Sequence, residues 1–201
     1  MTSTKEFASK LVRELVAIKS YSLWKDAQFR ELTGFYNLTN KQQDKIFNNL
    51  QLAALLYVLL FLEDRAKKSG DLNSVIYVNI SEYVFDSFLN MMQDVNLTNK
   101  QINLWKKLIN LREREYKQDL KYIIKESKKW DIFNKADKKL YEAWGRLATI
   151  SLGVLRHIKR DYKYSSKYRL WRLIRKWLVS IEVELVNIFK DTDMYSIKVL
   201  N

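Results

Sequence analysis

Residues 52–62 read LAALLYVLLFL, an uninterrupted apolar run of 11 residues. The preceding Thr39-Asn-Lys-Gln42 fits a capping box, and the following Lys67-Lys68-Ser69-Gly70 combines cations with a glycine, as at many helix ends. These signals predict one long helix from about residue 39 to residue 68. The apolar run is well short of the roughly 20 residues that a membrane span requires. We therefore expect a helix that is buried on all sides at the centre of the fold.

Two more helices are predicted around this one in the first half of the chain. A capping box at Ser3 to Glu6 opens a first helix that stops near Gly34, with a break around Ser20 to Ser22. Residues 73–80 are rich in β-branched and aromatic residues, but a lone strand has nothing to pair with. We interpret them as the entry to a third helix that ends near Asp94.

Three further helices are predicted in the second half. The fourth opens at Thr98 with another capping box, and a break is expected at residues 130–134. The fifth runs from about Lys135 to Lys163. Its Gly145 and Gly153 each cost roughly 1 kcal/mol relative to Ala, which indicates close approach by a neighbouring element. The sixth follows Ser165-Ser166 and ends before a tail at residues 191–201.

Composition supports an all-α fold. Proline is absent and only four glycines occur, so the residues that mark turns and hairpins are scarce. The hydrophobic fraction of 47% is enough to bury a core. We predict a bundle of about six helices over residues 1–190, as a single domain or as two packed helical lobes.

Positive charge is concentrated in the second half of the chain. Residues 1–100 contain 12 Lys and Arg against 11 Asp and Glu, whereas residues 101–201 contain 24 against 12. A near-neutral half can fold and pack, while a strongly basic half attracts an anionic polymer or surface. The imbalance therefore predicts an anionic partner for the basic region, residues 101–190.

The strongest functional signal lies between Arg156 and Trp177, where cations alternate with aromatic residues. Cations neutralise phosphates and aromatic rings stack on unpaired bases, which favours a single strand or an irregular RNA over a duplex. Trp171 and Trp177 are predicted to be core, which leaves Tyr164 and Tyr168 to stack. The predicted nucleic-acid-binding residues are Arg156, Lys159, Arg160, Lys163, Tyr164, Lys167, Tyr168, Arg169, Arg172, Arg175 and Lys176.

These features predict a non-catalytic subunit that binds the phosphate backbone of RNA or single-stranded DNA, in a nucleoprotein complex with other protein subunits. The alternative is a helical scaffold or adaptor whose basic half docks on an acidic protein or an acidic membrane surface. In size, charge and helicity the chain is similar to the small helical subunits of RNA-guided CRISPR effector complexes and to helical nucleocapsid proteins. No motif carries that likeness, so it transfers no residues.

Motifs for catalysis and for metal or cofactor binding are missing. Cysteine is absent, and the only histidine, His157, is predicted to lie exposed on the polar side of the fifth helix. No phosphate-binding glycine motif occurs, nor does the Arg-to-His spacing of HEPN-type RNases. We therefore expect no metal site, no cofactor and no enzyme activity. The remaining alternative is carboxylate chemistry around Arg112 and Asp119, for which a structural ion pair with neighbours or another helix is the simpler interpretation.

One hexapeptide is repeated: Asn37 to Gln42 recurs letter for letter as Asn96 to Gln101, each time before a helix. Either one efficient capping box arose twice or a two-helix unit was duplicated. The amino terminus shows no secretory signal and the chain has no cysteine, so we expect a cytoplasmic protein without a transmembrane segment.

Overall fold

The computed structural model describes residues 3–127, 138–158 and 164–191. It is 93% helical with no strand in those ranges, which confirms the all-α prediction. Seven helices are present instead of about six, when the continuous α1, π and α2 segments are counted once. In chain order the elements are α1 (Thr4–Leu11), a π-helical segment (Val12–Ile18), α2 (Lys19–Lys25), α3 (Ala27–Thr33), a 3₁₀ turn (Phe35–Asn37), α4 (Asn40–Lys68), α5 (Asp71–Asp94), α6 (Asn99–Ser127), α7 (Lys138–Ile158) and α8 (Tyr164–Asp191).

The additional helix arises at Asp26. This residue is extended, with ψ 126°, and its Oδ1 accepts a hydrogen bond of 2.7 Å from the N–H of Phe29, which caps α3. α3 then ends at Gly34, whose φ of 63° lies in the left-handed region. The predicted stop at Gly34 is confirmed. The predicted break around Ser20 to Ser22 is wrong. Ser20 is fully buried within α2, and the break lies further along the chain, at Asp26.

α4 is the central helix, as the apolar run predicts. Every residue from Leu50 to Leu62 is buried, and α4 contacts the π-helical segment, α2, α5, α6, α7 and α8. Buried residues from all eight described α-helices form one connected hydrophobic core. α4 is also long and apolar enough to cross a membrane by length and composition alone. Since 78% of its most apolar window is buried by the rest of the described chain, this property is accounted for by its place in the core.

Three predicted capping boxes are present. At Ser3, Thr39 and Thr98 the backbone N–H donates a hydrogen bond to the Glu or Gln side-chain oxygen three residues later, at 2.8–2.9 Å. The two copies of the repeated hexapeptide each open a helix of 29 residues, α4 and α6. Residues 73–80 are helical within α5, so the interpretation of that stretch as a helix is confirmed.

The glycines of α7 allow close packing against α6, as predicted. A Cβ on Gly153 would lie 2.2 Å from Cε1 of Tyr116, and one on Gly145 would lie 3.1 Å from Cδ1 of Leu120. Both contacts place α6 against one side of α7. The predicted break at residues 130–134 and the tail beyond residue 191 lie outside the described residues.

Candidate nucleic-acid interface

The outer face of α8 carries three exposed cations. Arg169, Arg172 and Lys176 are spaced three and four residues apart, so they project from one side of the helix. The opposite side is anchored in the core by fully buried Leu170 and Ile174. The burial pattern of α8 therefore follows the apolar periodicity of its sequence.

These cations have no acidic partner among the residues that the structure describes. Within the described ranges, no carboxylate lies within ion-pair distance of Arg169, Arg172, Arg175 or Lys176. The two described acids farther along α8 are already engaged: Glu182 Oε1 lies 2.8 Å from Nη2 of Arg146, and Glu184 is paired elsewhere. The positive charge of the α8 face is therefore not compensated by any acid in the part of the chain that the structure describes.

Two guanidinium groups of α8 make cation–π contacts with aromatic rings of the same helix. The guanidinium of Arg172 lies 5.9 Å from the ring centre of Tyr168, and that of Arg175 lies 4.9 Å from the ring of Trp171. The two rings lie 5.9 Å apart. Such cation–π contacts stabilise an arginine conformation while leaving N–H groups free to donate.

The aromatic residues of α8 divide between core and surface. Trp177 is 7% exposed and its Nε1 donates to the carbonyl of Lys19 at 2.9 Å, which confirms the core prediction. Trp171 is half-buried and its Nε1 donates to Oγ of Ser151 at 2.9 Å. Tyr168 is 50% exposed, so part of its ring is open to a ligand.

Arg156 does not belong to this open face. Its guanidinium donates to Oε1 of Glu115 at 3.0 Å and to Oδ2 of Asp119 at 2.6 Å, both on α6. The hydrogen bond to Asp119 raises the pKa of Arg156. Arg156 is thus engaged by carboxylates of α6, which its spacing on α7 does not reveal, and its predicted contact with phosphate stays a prediction.

The remaining predicted residues cannot be assigned to the interface. Lys159, Arg160 and Lys163 lie outside the described residues, and Tyr164 and Lys167 fall in the first turn of α8 with side chains that are not described. Their predicted role in nucleic-acid binding therefore stays a prediction.

The polar residues on the inner stripe of α6 form the ion pairs that the sequence suggests. Nη1 of Arg112 donates to Oε2 of Glu115 at 2.6 Å, and Asp119 accepts from Arg156. Burial acts to raise the pKa of Glu115, but the hydrogen bond from Arg112 and the surrounding positive charge lower it overall. In the described part of the chain, no three His, Asp or Glu side chains are placed to hold a metal ion.

His157 lies beside this cluster, and its predicted exposure is wrong. The side chain is 13% exposed, and Nε2 lies 3.4 Å from Oε1 of Glu115 without a hydrogen bond. Burial and the nearby charge of Arg112 lower the pKa of His157 to about 4. The prediction fails because α6 packs across this side of α7, where Gly153 admits the ring of Tyr116.

A second polar network, which the sequence does not reveal, lies at the junction of α4, α7 and α8. Arg146 is 4% exposed and pairs with Asp64 at 2.9 Å and with Glu182 at 2.8 Å. The hydroxyl of Tyr57 donates to the other oxygen of Glu182 at 2.8 Å. Lys68 joins Asp64 to Glu142 of α7. Burial works against a charged Arg146, but Glu182, Tyr57 and Asp64 together outweigh it and raise the pKa of Arg146.

The chain matches no family model, no curated protein and no solved structure. Neither the fold nor the α8 face can therefore be assigned by likeness. The functional argument depends on the residues themselves.

Proposed function

We propose that this protein binds nucleic acid without catalysis, through the phosphate backbone, and that the outer face of α8 is its contact surface. The observation that supports this is the pairing of charges. Arg169, Arg172 and Lys176 are exposed and have no carboxylate partner among the described side chains, whereas Arg112, Arg146 and Arg156 are paired within the protein. Only an unpaired cation can neutralise a phosphate without first breaking an internal contact.

The length of the face suits several phosphates. From Arg169 to Lys176 the helix rises about 10 Å, at 1.5 Å per residue. Three cations over that distance can contact consecutive phosphates of one strand. Guanidinium groups are suited to this because they donate two parallel hydrogen bonds to phosphate oxygens.

A single strand or an irregular RNA fits the face better than a duplex does. Tyr168 is half exposed beside Arg172, so an unpaired base can stack on the part of the ring that is open. Base-to-aromatic stacking contributes about 1–3 kcal/mol per base. A regular duplex keeps its bases inside the helix and cannot use this contact.

The salt dependence of binding tests this proposal. Each phosphate contact on a single strand contributes about 0.7 to the slope of log Kobs against log salt. The triple variant Arg169→Ala, Arg172→Ala and Lys176→Ala should therefore lower the slope for single-stranded RNA by about 2. The matched control Lys10→Ala, Lys25→Ala and Lys100→Ala removes the same charge from exposed positions elsewhere. Its slope should stay near that of the wild type.

Two results would overturn the proposal. If the wild type fails to bind single-stranded RNA or DNA at low salt, the scaffold alternative takes its place. If the control variant loses as much slope as the α8 variant, binding reflects net charge and the α8 face is not the contact surface.

A further inference from the structure

A groove with an apolar floor opens between the first turns of α4 and α6. Two cavities of about 630 and 480 Å³ share the lining residues Asp44, Asn48, Leu104 and Trp105, so they form one continuous groove. Leu104 is 58% exposed, and Trp105 beside it is half-buried. An exposed apolar groove with a polar rim is a surface that a partner can cover.

The groove has the dimensions of a helix-binding site. On the α4 side its lining runs from Lys41 to Gln51, a rise of about 15 Å or three helical turns. On the α6 side Leu104 and Leu108 are four residues apart and face the same groove. An amphipathic helix with apolar residues at three- and four-residue spacing fits such a surface.

The wall of the groove is basic. Lys41 and Lys45 are exposed on successive turns of α4, and neither has an ion-pair partner in the described ranges. Arg112 at the other wall is paired with Glu115, and Asp44 is the one acid that lines the groove. A helix that docks here is therefore expected to carry acids beside its apolar residues.

The same chain displays such a helix face on α5. Val75 and Val78 are 55% and 46% exposed, and Glu82 and Asp86 follow on the same side of the helix. Neither acid has an ion-pair partner in the described ranges. Glu82 and Asp86 have the same four-residue spacing as Lys41 and Lys45, so two ion pairs can form together across an interface.

We propose that the groove between α4 and α6 docks the α5 face of a second copy of this protein. Val75 and Val78 meet the apolar floor, while Glu82 and Asp86 meet Lys41 and Lys45. The two surfaces differ, so the contact is head to tail, and a dimer keeps a free α5 face on one copy and a free groove on the other. Association therefore continues beyond the dimer, as a ring or a linear array. The proposal does not rest on nucleic-acid binding by α8.

Sedimentation of the free protein up to about 1 mM, where contacts with millimolar dissociation constants are still populated, tests the proposal. The wild type should gain mass with concentration beyond a dimer. The groove variant Lys41→Glu, Lys45→Glu and the face variant Glu82→Lys, Asp86→Lys should each weaken association by about 10-fold or more. All four positions are exposed, so both variants should keep the wild-type circular dichroism. The control Lys10→Glu, Lys25→Glu should associate like the wild type.

Mixing the two variants tests whether the partner that docks in the groove is the α5 face of a second copy. The groove variant is acidic at both surfaces and the face variant is basic at both, so the two are complementary at either contact, and an equimolar mixture should regain the association beyond a dimer that each variant loses alone. The fourfold charge-swapped variant should associate with itself again. A wild type that stays monomeric, variants that associate unchanged, or a mixture that stays monomeric would each overturn the proposal. No nucleic acid is present, so this result is independent of the α8 test.

Discussion

The basic half of the protein contains two sets of cations that differ in their partners. Arg112, Arg146 and Arg156, on α6 and α7, are all paired with carboxylates of this chain, whereas Arg169, Arg172 and Lys176 on α8 have none among the described residues. We call these the paired set and the unpaired set. Both sets contribute equally to net charge. The comparison teaches that the charge of a region predicts an anionic partner, while pairing decides which residues can reach it.

The position of α7 explains the difference. α7 packs against α4, α6 and α8, so its arginines meet acids from neighbouring helices. Asp64 comes from α4, Asp119 from α6 and Glu182 from α8. The outer face of α8 has no described helix above it that could supply such acids.

The largest expected effect is on stability, from removal of Arg146. Arg146→Met leaves Asp64 and Glu182 without their buried partner, and breaking a buried pair in this way costs about 3–5 kcal/mol. The matched change in the unpaired set, Arg172→Met, should alter stability by less than about 0.5 kcal/mol. Urea denaturation of both variants measures the difference. Equal losses would show that the buried network is no more important to the fold than an exposed cation.

A smaller loss of folding stability is expected from Gly153→Ala. The added Cβ would lie 2.2 Å from Tyr116, so α6 and α7 must separate or the ring must move. Overpacking of this kind costs about 1–3 kcal/mol. Gly70→Ala is the control, because a Cβ there meets nothing within 4 Å. Thermal denaturation should show a clearly lower Tm for Gly153→Ala and a much smaller change in Tm for Gly70→Ala. The change should leave the salt slope of nucleic-acid binding intact while the protein is folded, since it does not touch the unpaired set.

Stability should also fall as the pH drops from about 7 to about 5. The pKa of His157 is about 4 in the folded protein, because of burial and the nearby Arg112, and about 6.5 when unfolded. The unfolded chain therefore binds the proton first, and about 1–2 kcal/mol of stability is lost over this range. His157 is the only histidine, so His157→Gln should remove most of the pH dependence between 5 and 7. An unchanged profile in that variant would mean that His157 is already accessible to protons in the folded state.

Much of the fold could be predicted because its signals are local. The capping boxes at Ser3, Thr39 and Thr98 and the left-handed Gly34 depend on residues close in sequence, and they are present in the structure. The burial of residues 52–62 follows from an apolar run without polar interruption. The break at Asp26 was missed because an aspartate that caps a helix looks like any surface acid in the middle of an otherwise helical stretch.

The candidate site could be predicted only in part, because pairing is non-local. Arg169, Arg172 and Lys176 are exposed as the periodicity of α8 predicts. Arg156 has the same sequence character, but its partners are 37 and 41 residues away on α6. The prediction that His157 is exposed fails for the same reason, because no residue near it in the sequence indicates that α6 covers it.

The central claim is that pairing separates the cations that support the fold from those that bind nucleic acid. The most direct test compares two single variants, Arg172→Ala from the unpaired set and Arg156→Ala from the paired set, in a salt titration of single-stranded RNA binding. Arg172→Ala should lower the slope of log Kobs against log salt by about 0.7, the contribution of one phosphate contact, and Arg156→Ala should leave it unchanged. A slope reduced equally in both variants, or only in Arg156→Ala, would contradict the claim.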